Sequence, residues 1–319
     1  MFLVTGNTNV DLFISGFNEL PSVDGDEFTN TSLIFTSRPL VASIGGNGGN
    51  LAYMLGNFRV PTALCSAIGQ DVMGELVIGW LKSKGVTLDA LARYADDGTP
   101  TNTIITDGHH NRLSFYYGQP TFRYTLDQIP QALIDRAEGV AISAYSLFTQ
   151  LRGEGYRHLL ETVHSRGGVT AVDIGPALLE PARIDELRPL LPLIDYLIAN
   201  EYELSVCTGI SDRDEGVEAL LRAGANMVLV KRGKNGVIAR SRETVLEVPA
   251  FPVTTAATTV GAGDSFNAGF LYALRQGKAL RDALVFGSAT AALVVASGKG
   301  VLGAPTLAEV ERLANTVSP

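Results

Sequence analysis

Short uninterrupted apolar runs alternate with segments whose apolar residues recur at helical spacing, and that rhythm predicts parallel strands joined by crossover helices. The strand candidates are Phe2 to Thr5, Ala63 to Ile68, Gly139 to Ser143, Val169 to Asp173, Tyr196 to Ala199 and Met227 to Lys231. Each is a continuous apolar stretch, which suits a sheet buried on both faces. Helices are predicted to begin near Gly48, Val72, Gly153, Asp212, Gly263 and Ala279, with a last one from Leu307. The expected fold class is α/β, a doubly wound and mostly parallel sheet flanked by helices.

Two stretches break the rhythm. Residues 12 to 44 and 98 to 124 are rich in Thr, Phe, Tyr and Gly and hold strand-like pieces such as Thr103-Ile-Ile-Thr106 and Leu113-Ser-Phe-Tyr-Tyr117. Long insertions in an α/β domain usually carry function, so they predict a small β-sheet lid over a substrate site; surface decoration is the alternative. No Pro-rich or Ser-rich linker, charge block or internal repeat divides the chain, and residues 1–319 read as one domain with that lid.

Composition narrows the function classes. With 46% hydrophobic and 18% charged residues, the 319-residue chain can bury a large core, which excludes disorder. A formal charge of −8, from 25 Lys+Arg against 33 Asp+Glu, offers no basic field to nucleic acid or an anionic membrane. Cys65 and Cys207 belong to no CxxC pair or zinc-ligand pattern and read as reduced core thiols in a cytoplasm. Met1 to Gly6 lacks the charged and apolar regions of a signal peptide, and no run is expected to reach the roughly 18 apolar residues of a membrane span.

Candidate chemistry gathers in three segments. From Thr258 to Phe270 a polar, glycine-containing turn runs straight into an apolar-periodic helix. Gly261, Ala262 and Gly263 can aim free backbone N–H groups there, with the positive end of the helix dipole, at a phosphate. Asp264 sits in the first turn, where the dipole keeps a carboxylate ionised and able to take a proton from a hydroxyl beside that phosphate. An Asp that only stabilises its helix is the competing reading. In Gly45-Gly-Asn-Gly-Gly-Asn50, four glycines around two amides let backbone approach a polyhydroxylated ligand, with Asn47 and Asn50 offering donors and acceptors. A turn capped by Asn explains one glycine pair but not the whole cluster. In Gly6-Asn-Thr-Asn-Val-Asp11 an acidic residue follows the carboxyl end of the first strand, the edge where open α/β sheets bind ligands. A lone Asp in a loop is also a common turn former.

Together these segments resemble the PfkB, or ribokinase-like, carbohydrate kinase family over nearly the full length. Gly261 to Asp264 resembles the family's D-T-x-G-A-G-D signature, Gly45 to Asn50 its G-G-N-x-x-N pattern, and Asn200-Glu-Tyr-Glu203 its N-x-x-E pattern. The resemblance implies ATP-dependent transfer of the γ-phosphoryl group to a hydroxyl of a small, ribose- or fructose-like sugar, with Asp264 as general base and an anion hole at Gly261 to Gly263. It places Asn9, Asp11, Gly45, Gly46, Asn47 and Asn50 against the acceptor, and Asn200, Lys231, Gly233 and Gly236 against the nucleotide. It gives Asn200 and Glu203 a Mg²⁺ ion held through water. Read from the residues alone, that pair is an ordinary capped helix start, and Lys231 lies either beside a phosphate or in a basic surface turn. Thr258 stands where the family commonly has an Asp that helps build a monovalent-cation site, which puts K⁺ dependence in doubt but not activity. The resemblance also implies a homodimer formed through the lid.

The same fold admits a nucleoside kinase, with Phe115, Tyr116, Tyr117 and Phe122 stacking on a base, or instead packing the lid or a dimer interface. It admits a phosphosugar kinase, with Arg38, Arg112 and Arg123 meeting a second phosphate, and a non-catalytic sugar-binding protein, against which the intact Asp264 argues. Other signals fail on context. Gly298 to Gly303 fits G-x-G-x-x-G but leaves only sixteen residues before the terminus, too few for a dinucleotide-binding unit. No P-loop or G-x-S-x-G motif is present. His109 and His110 are expected exposed in the lid, His158 and His164 lack a third metal ligand, and Trp80 reads as core.

Overall fold

The computed structural model describes residues 1–20, 35–109, 111–178, 180–253 and 259–317. In chain order the strands are β1 (Phe2–Thr5), β2 (Asn9–Phe17), β3 (Val41–Gly45), β4 (Thr62–Gly69), β5 (Leu91–Tyr94), β6 (Thr101–Asp107), β7 (Arg112–Tyr117), β8 (Gly139–Ile142), β9 (Val169–Asp173), β10 (Tyr196–Asn200), β11 (Val228–Lys231), β12 (Val237–Arg240) and β13 (Val245–Val248). The α-helices are α1 (Asn47–Asn57), α2 (Val72–Ser83), α3 (Gln119–Arg123), α4 (Gln131–Asp135), α5 (Glu154–His164), α6 (Ile184–Leu187), α7 (Glu201–Thr208), α8 (Arg213–Ala223), α9 (Ala262–Arg275), α10 (Leu280–Ser297) and α11 (Leu307–Ala314).

The main sheet has the order β13-β12-β11-β10-β9-β8-β1-β4-β5. It is parallel from β5 across to β11, and β12 and β13 add an antiparallel margin. Its apolar runs divide residue by residue between two faces. Phe2, Val4, Leu64, Ala141, Ala171, Ile198 and Leu229 join the core formed with α1, α2, α9 and α10. Leu3, Ala63, Cys65, Val140, Val172, Leu197 and Val228 join the core formed with α4, α5, α7 and α8. Side chains alternate along a pleated strand, so a strand covered on both faces reads as a nearly continuous apolar run. All six predicted core strands lie in this sheet. The strands absent from the prediction, β5, β12 and β13, lie at or next to its edges, where half-cover lets polar residues into LARY, VIAR and VLEV.

The seven predicted helix starts fall within one residue of α1, α2, α5, α8, α9, α10 and α11. Side-chain caps fix several of them. Asp71 accepts from the Gly74 N–H at the head of α2, Asp212 from Glu215 at α8, and Thr306 with Glu309 forms a capping box at α11. One expectation needs correcting. α10 is long and apolar enough to cross a bilayer by length and composition, although 56% of it is buried inside the protein, where it packs along α9. A helix apolar on nearly every side is what a two-sided core contact requires. Cys65 and Cys207 are free and buried, and Trp80 packs partly buried against the core.

The second sheet has the order β3-β2-β6-β7, with β2 antiparallel to β3 and parallel to β6, and β6 antiparallel to β7. It is the lid, with different bounds from those predicted. It begins at Asn9 rather than residue 12, because Val10 and Asp11 already pair with Thr101 and Asn102 of β6. It ends with β7; the chain then enters α3, and Tyr124 is buried in the body with its hydroxyl donating to the Ala90 carbonyl at 2.7 Å. Residues 21–34 of the first excursion and His110 lie outside the described residues, while His109 is exposed as expected. Only Gly6, Asn7 and Thr8 separate β1 of the main sheet from β2 of the lid, so this turn joins the two layers.

Candidate active site

α9 begins at the carboxyl edge of the main sheet. Gly261 caps it with φ 79°, a left-handed conformation that a β-carbon disfavours. Asp264 is the third helical residue and is only 6% exposed. The expected trio of free amides is altered, because the Ala262 N–H donates to the Thr259 carbonyl at 3.2 Å. The amides of Gly261, Gly263 and Asp264 itself have no acceptor among the described residues. Burial pushes Asp264 up to about 6, against the pull of Asn50, Lys231 and Asn47. Desolvation thus moves its pKa toward neutrality while leaving the group mostly ionised there, as expected of a carboxylate that is to take a proton.

The two amides of α1 account for part of that balance. Asn50 Nδ2 donates to Asp264 Oδ2 at 2.8 Å, and Asn47 Nδ2 to Oδ1 at 3.0 Å. Expected to face an acceptor's hydroxyls, these amides also reach the carboxylate, because the start of α1 packs directly against the start of α9. Asn50 Oδ1, also buried, accepts no hydrogen bond among the described residues.

Asp11 was expected in a loop and lies within β2. Its register partners are Ser43 on β3 and Asn102 on β6, and Asn102 in turn pairs with Tyr116 on β7. Directly paired residues project from one face of a sheet, so Ser43, Asp11, Asn102 and Tyr116 form a single polar row across the lid. Asn9 Nδ2 donates to Asp11 Oδ1 at 2.7 Å. Burial pushes the Asp11 carboxyl up to about 6 while Asn9, Asn102 and Arg112 pull it down. The glycines beside the row make close contacts within the protein. A β-carbon on Gly45 would lie 2.4 Å from Asp11 Oδ2 and 2.6 Å from Asn9 Nδ2. Gly46, at φ 78°, faces the Asn7 carbonyl, 2.5 Å from where its β-carbon would be.

On the other side of Asp264 stands a cluster built on Asp173, the last residue of β9. Its Oδ2 accepts from Lys231 Nζ and from Asn267 Nδ2, both at 2.7 Å, and its Oδ1 from the Gly175 N–H at 3.0 Å. Lys231 is therefore not in a basic surface turn: its side chain is 18% exposed, and a β-carbon on Gly263 would lie 3.3 Å from its Nζ. Burial opposes its charge, but Asp173, Glu203 and Asp264 together outweigh burial and hold it as an ammonium. Glu203 is pushed well up by burial and by the charge of Asp173.

Asn200 and Glu203 form a reciprocal capping box at α7, at 2.8 and 2.7 Å, which is what the residues alone predicted. Glu203 Oε1 is left without a hydrogen bond among the described residues. Gly233 opens into free space in the turn after β11, whereas Gly236 packs on the Val248 carbonyl of β13 and is held there by its own hairpin. Thr258 lies outside the described residues. Sequence reasoning missed Asp173, Asn267, Asn7 and Asn102 as members of the site, and named Tyr116 only as an aromatic for stacking, not for its hydroxyl. Asp173 was findable, since it ends a parallel strand at the ligand-binding edge, the rule that flagged Asp11.

Comparison with known proteins places the chain in a family. The chain is similar to a nucleoside kinase of Methanothermobacter thermautotrophicus, 28% identical over 272 residues that cover 85% of this chain and 84% of that one. It is similar to the ribokinase of Bacillus subtilis, 29% identical over 97% of this chain and 98% of that one. The fold superposes on Arabidopsis thaliana ribokinase complexed with ribose and ATP with a TM-score of 0.78, covering 98% of both chains at 22% identity. Residues 23–307 match the family model described as pfkB family carbohydrate kinase, a span that includes the motifs at Gly45–Asn50, Asn200–Glu203 and Gly261–Asp264. This chain, a ribokinase-like α/β protein with a mixed lid sheet, belongs to the pfkB family of carbohydrate kinases and is a phosphotransferase.

Proposed function

We propose that the chain phosphorylates a free hydroxyl of a small, ribose- or fructose-like sugar with ATP, and that Asp264 is the general base. The acceptor rests against the polar row of the lid. Asp264 takes the hydroxyl proton as the acceptor oxygen bonds to the γ-phosphorus and the bond to the bridging oxygen of ADP breaks. ATP supplies the phosphoryl group. The Gly263 and Asp264 amides, the positive end of α9 and the Lys231 ammonium face the charge that develops on it. General-base help of this kind is typically worth ~10² to 10⁴ in rate.

The observation that carries this reading is the row itself: one carboxylate, one amide and two hydroxyls in register, with Asn50 and Asn102 each holding a buried amide oxygen that lacks a donor among the described residues. Orphaned acceptors call for O–H donors, which a polyhydroxylated acceptor brings. A base-stacking slot is less well supplied. Of the lid aromatics only Tyr116 shares the row, because Phe115 and Tyr117 alternate to the opposite face.

An acceptor carrying an anionic group is the second reading, and one residue favours it. Arg112 is close enough to Asp11 to pull on its carboxyl, whereas Arg123 is already paired with Asp96 and Asp97.

The donor set fits a hydrated Mg²⁺ rather than a protein cage. Among the described residues no three His, Cys, Asp or Glu side chains converge on one point, and Mg²⁺ characteristically keeps several waters. Glu203 Oε1, with Asn200 beside it, would hold that ion through water. The substitution at Thr258 supports a reaction that does not depend on K⁺. A cytoplasmic setting and a homodimer through the lid complete the reading, the latter because β7 is an edge strand with Leu113, Phe115, Tyr116 and Tyr117 exposed.

The test is ADP release from Mg·ATP over free pentoses and hexoses, sugar phosphates, sugar acids and nucleosides. Turnover confined to free sugars supports the first reading, turnover confined to anionic sugars the second, and preference for nucleosides overturns both.

A further inference from the structure

The turn between β1 and β2 holds a buried side chain with no role in the reaction as drawn. Asn7 is 4% exposed, and all three of its outward polar groups are engaged. Its Nδ2 donates to the Tyr116 hydroxyl at 3.3 Å, its Oδ1 accepts from the Asn47 backbone N–H at 3.1 Å, and its own carbonyl accepts from the Gly49 N–H at 3.1 Å. The latter two contacts hold the first turn of α1, the turn that carries Asn47 and Asn50. The first reaches the far edge strand of the lid. Asn47 then donates from its side chain to Asp264 Oδ1 at 3.0 Å.

A continuous hydrogen-bonded path therefore runs from Tyr116 through Asn7 and Asn47 to Asp264, and it crosses between the sheets at the short connection that joins them. Gly46 has no side chain to intervene, since a β-carbon there would meet the Asn7 carbonyl. Tyr116 is half-exposed as a residue, yet burial raises the pKa of its hydroxyl, with the Asn7 hydrogen bond pulling it down.

We propose that Asn7 is a positioning residue that couples the seating of the lid, sensed at Tyr116, to the amide grip on Asp264. Asn7 touches neither reactant. Acting through the backbone of Asn47, it sets where the Asn47 amide meets the carboxylate. Asp264 is also faced by Lys231 of β11, Asp173 of β9 and Glu203 of α7, and the path touches none of these, so a change made at Asn7 reaches the base through α1 alone.

This inference rests on Asp264 being the base, and its test separates the two ideas. The carboxyl resonance of Asp264 is titrated by carbon NMR in the protein without acceptor, in wild type, Asn7→Ala, Tyr116→Phe and Asn47→Ala. Loss of the Asn47 donor favours the protonated acid, so Asn47→Ala moves the titration to higher pH. Asn7→Ala is expected to move it the same way, and Tyr116→Phe, which removes one hydroxyl from a half-exposed edge residue and leaves the fold intact, the same way by less. With the best acceptor, Asn7→Ala lowers kcat about tenfold, as a small misplacement of a reacting group does, with the KM for ATP unchanged. A Tyr116→Phe titration superimposable on wild type, beside a shifted Asn47→Ala control, overturns the coupling. An inactive wild-type protein that keeps the titration response overturns the proposed reaction and leaves the coupling standing.

Discussion

Asn50 Nδ2 lies 2.8 Å from Asp264 Oδ2, a contact that spans 214 residues of sequence and ties the N-terminus of α1 to that of α9. Burial raises the proton affinity of that carboxyl and the amides lower it, and the result is a group titrating at about 6. A base whose pKa lies just under the working pH is both ionised and able to hold a proton, the compromise that general-base catalysis favours.

Asn50→Ala removes one of the two amides, so Asp264 titrates at higher pH. Activity falls wherever Asp264 is protonated, and the acid limb of the kcat/KM profile therefore moves upward in pH. The loss is expected to be roughly tenfold at about pH 6, the worth of one hydrogen bond to a charged group, and smaller at about pH 8. A pH–rate profile checks this; a uniform loss at all pH values contradicts it.

The same burial makes Asp264 a stability cost. Its folded pKa stands above the unfolded value of 3.8, so folding takes up a proton between about 4 and about 6 and stability declines through that window as pH rises. Above it the ionised, buried carboxylate costs up to about 3 kcal/mol. Asp264→Asn is expected to stabilise the protein near pH 8 and to leave it nearly unchanged near pH 4. Denaturant unfolding at both values tests the sign, and an equal effect at both contradicts it.

Lys231 and Asp173 form a buried ion pair whose side chains are 18% and 5% exposed. Lys231→Met leaves Asp173 without its countercharge and is expected to cost about 3 kcal/mol, with Asp173→Asn in the same chain recovering part of it. Urea midpoints of the two singles and the double form the cycle. Purely additive losses would show that the pair does not act as a unit.

Gly45→Ala places a methyl group where the Asp11 carboxylate and the Asn9 amide meet. The expected outcome is a rise in the KM for the acceptor of about tenfold or more, with the KM for ATP unchanged, since one displaced hydrogen-bonding group costs at least that. Steady-state kinetics with each substrate varied separates the two constants, and an acceptor KM equal to wild type contradicts the account of the row.

The exposed β7 edge is expected to pair with its twin. Light scattering should give twice the chain mass, and Phe115→Lys, on the face away from the row, should shift it toward the monomer. A wild-type monomer at working concentration would contradict the dimer.

The fold was legible where a single physical requirement acts on consecutive residues. Phe2 to Thr5 and Met227 to Lys231 announce themselves because both faces of a strand are covered, and Asp212 and Leu307 because a cap precedes an amphipathic turn. β12 and β13 fail that test, since only part of each is covered. The site was legible as a set of residues and much less so as a set of pairs. That Asn47 and Asn50 also meet Asp264 was not legible, because it lies more than two hundred residues away and an amide's spacing says nothing about which carboxylate it will meet. Asp173 was read as the end of a strand because its worth comes from Lys231 and Asn267, 58 and 94 residues further along. Asp11 was placed in a loop because Asn9-Val-Asp-Leu carries the period-two pattern of a strand for too few residues to stand out from the turn before it.

The most direct test of Asp264 as the base is to compare kcat of wild type and Asp264→Asn with the best acceptor at saturating Mg·ATP near pH 8. The expected result is a loss of at least about 10² in kcat, with ATP binding retained and the variant no less stable than wild type. A folded Asp264→Asn variant that turns over within a few-fold of wild type would contradict the assignment and require another group to take the proton.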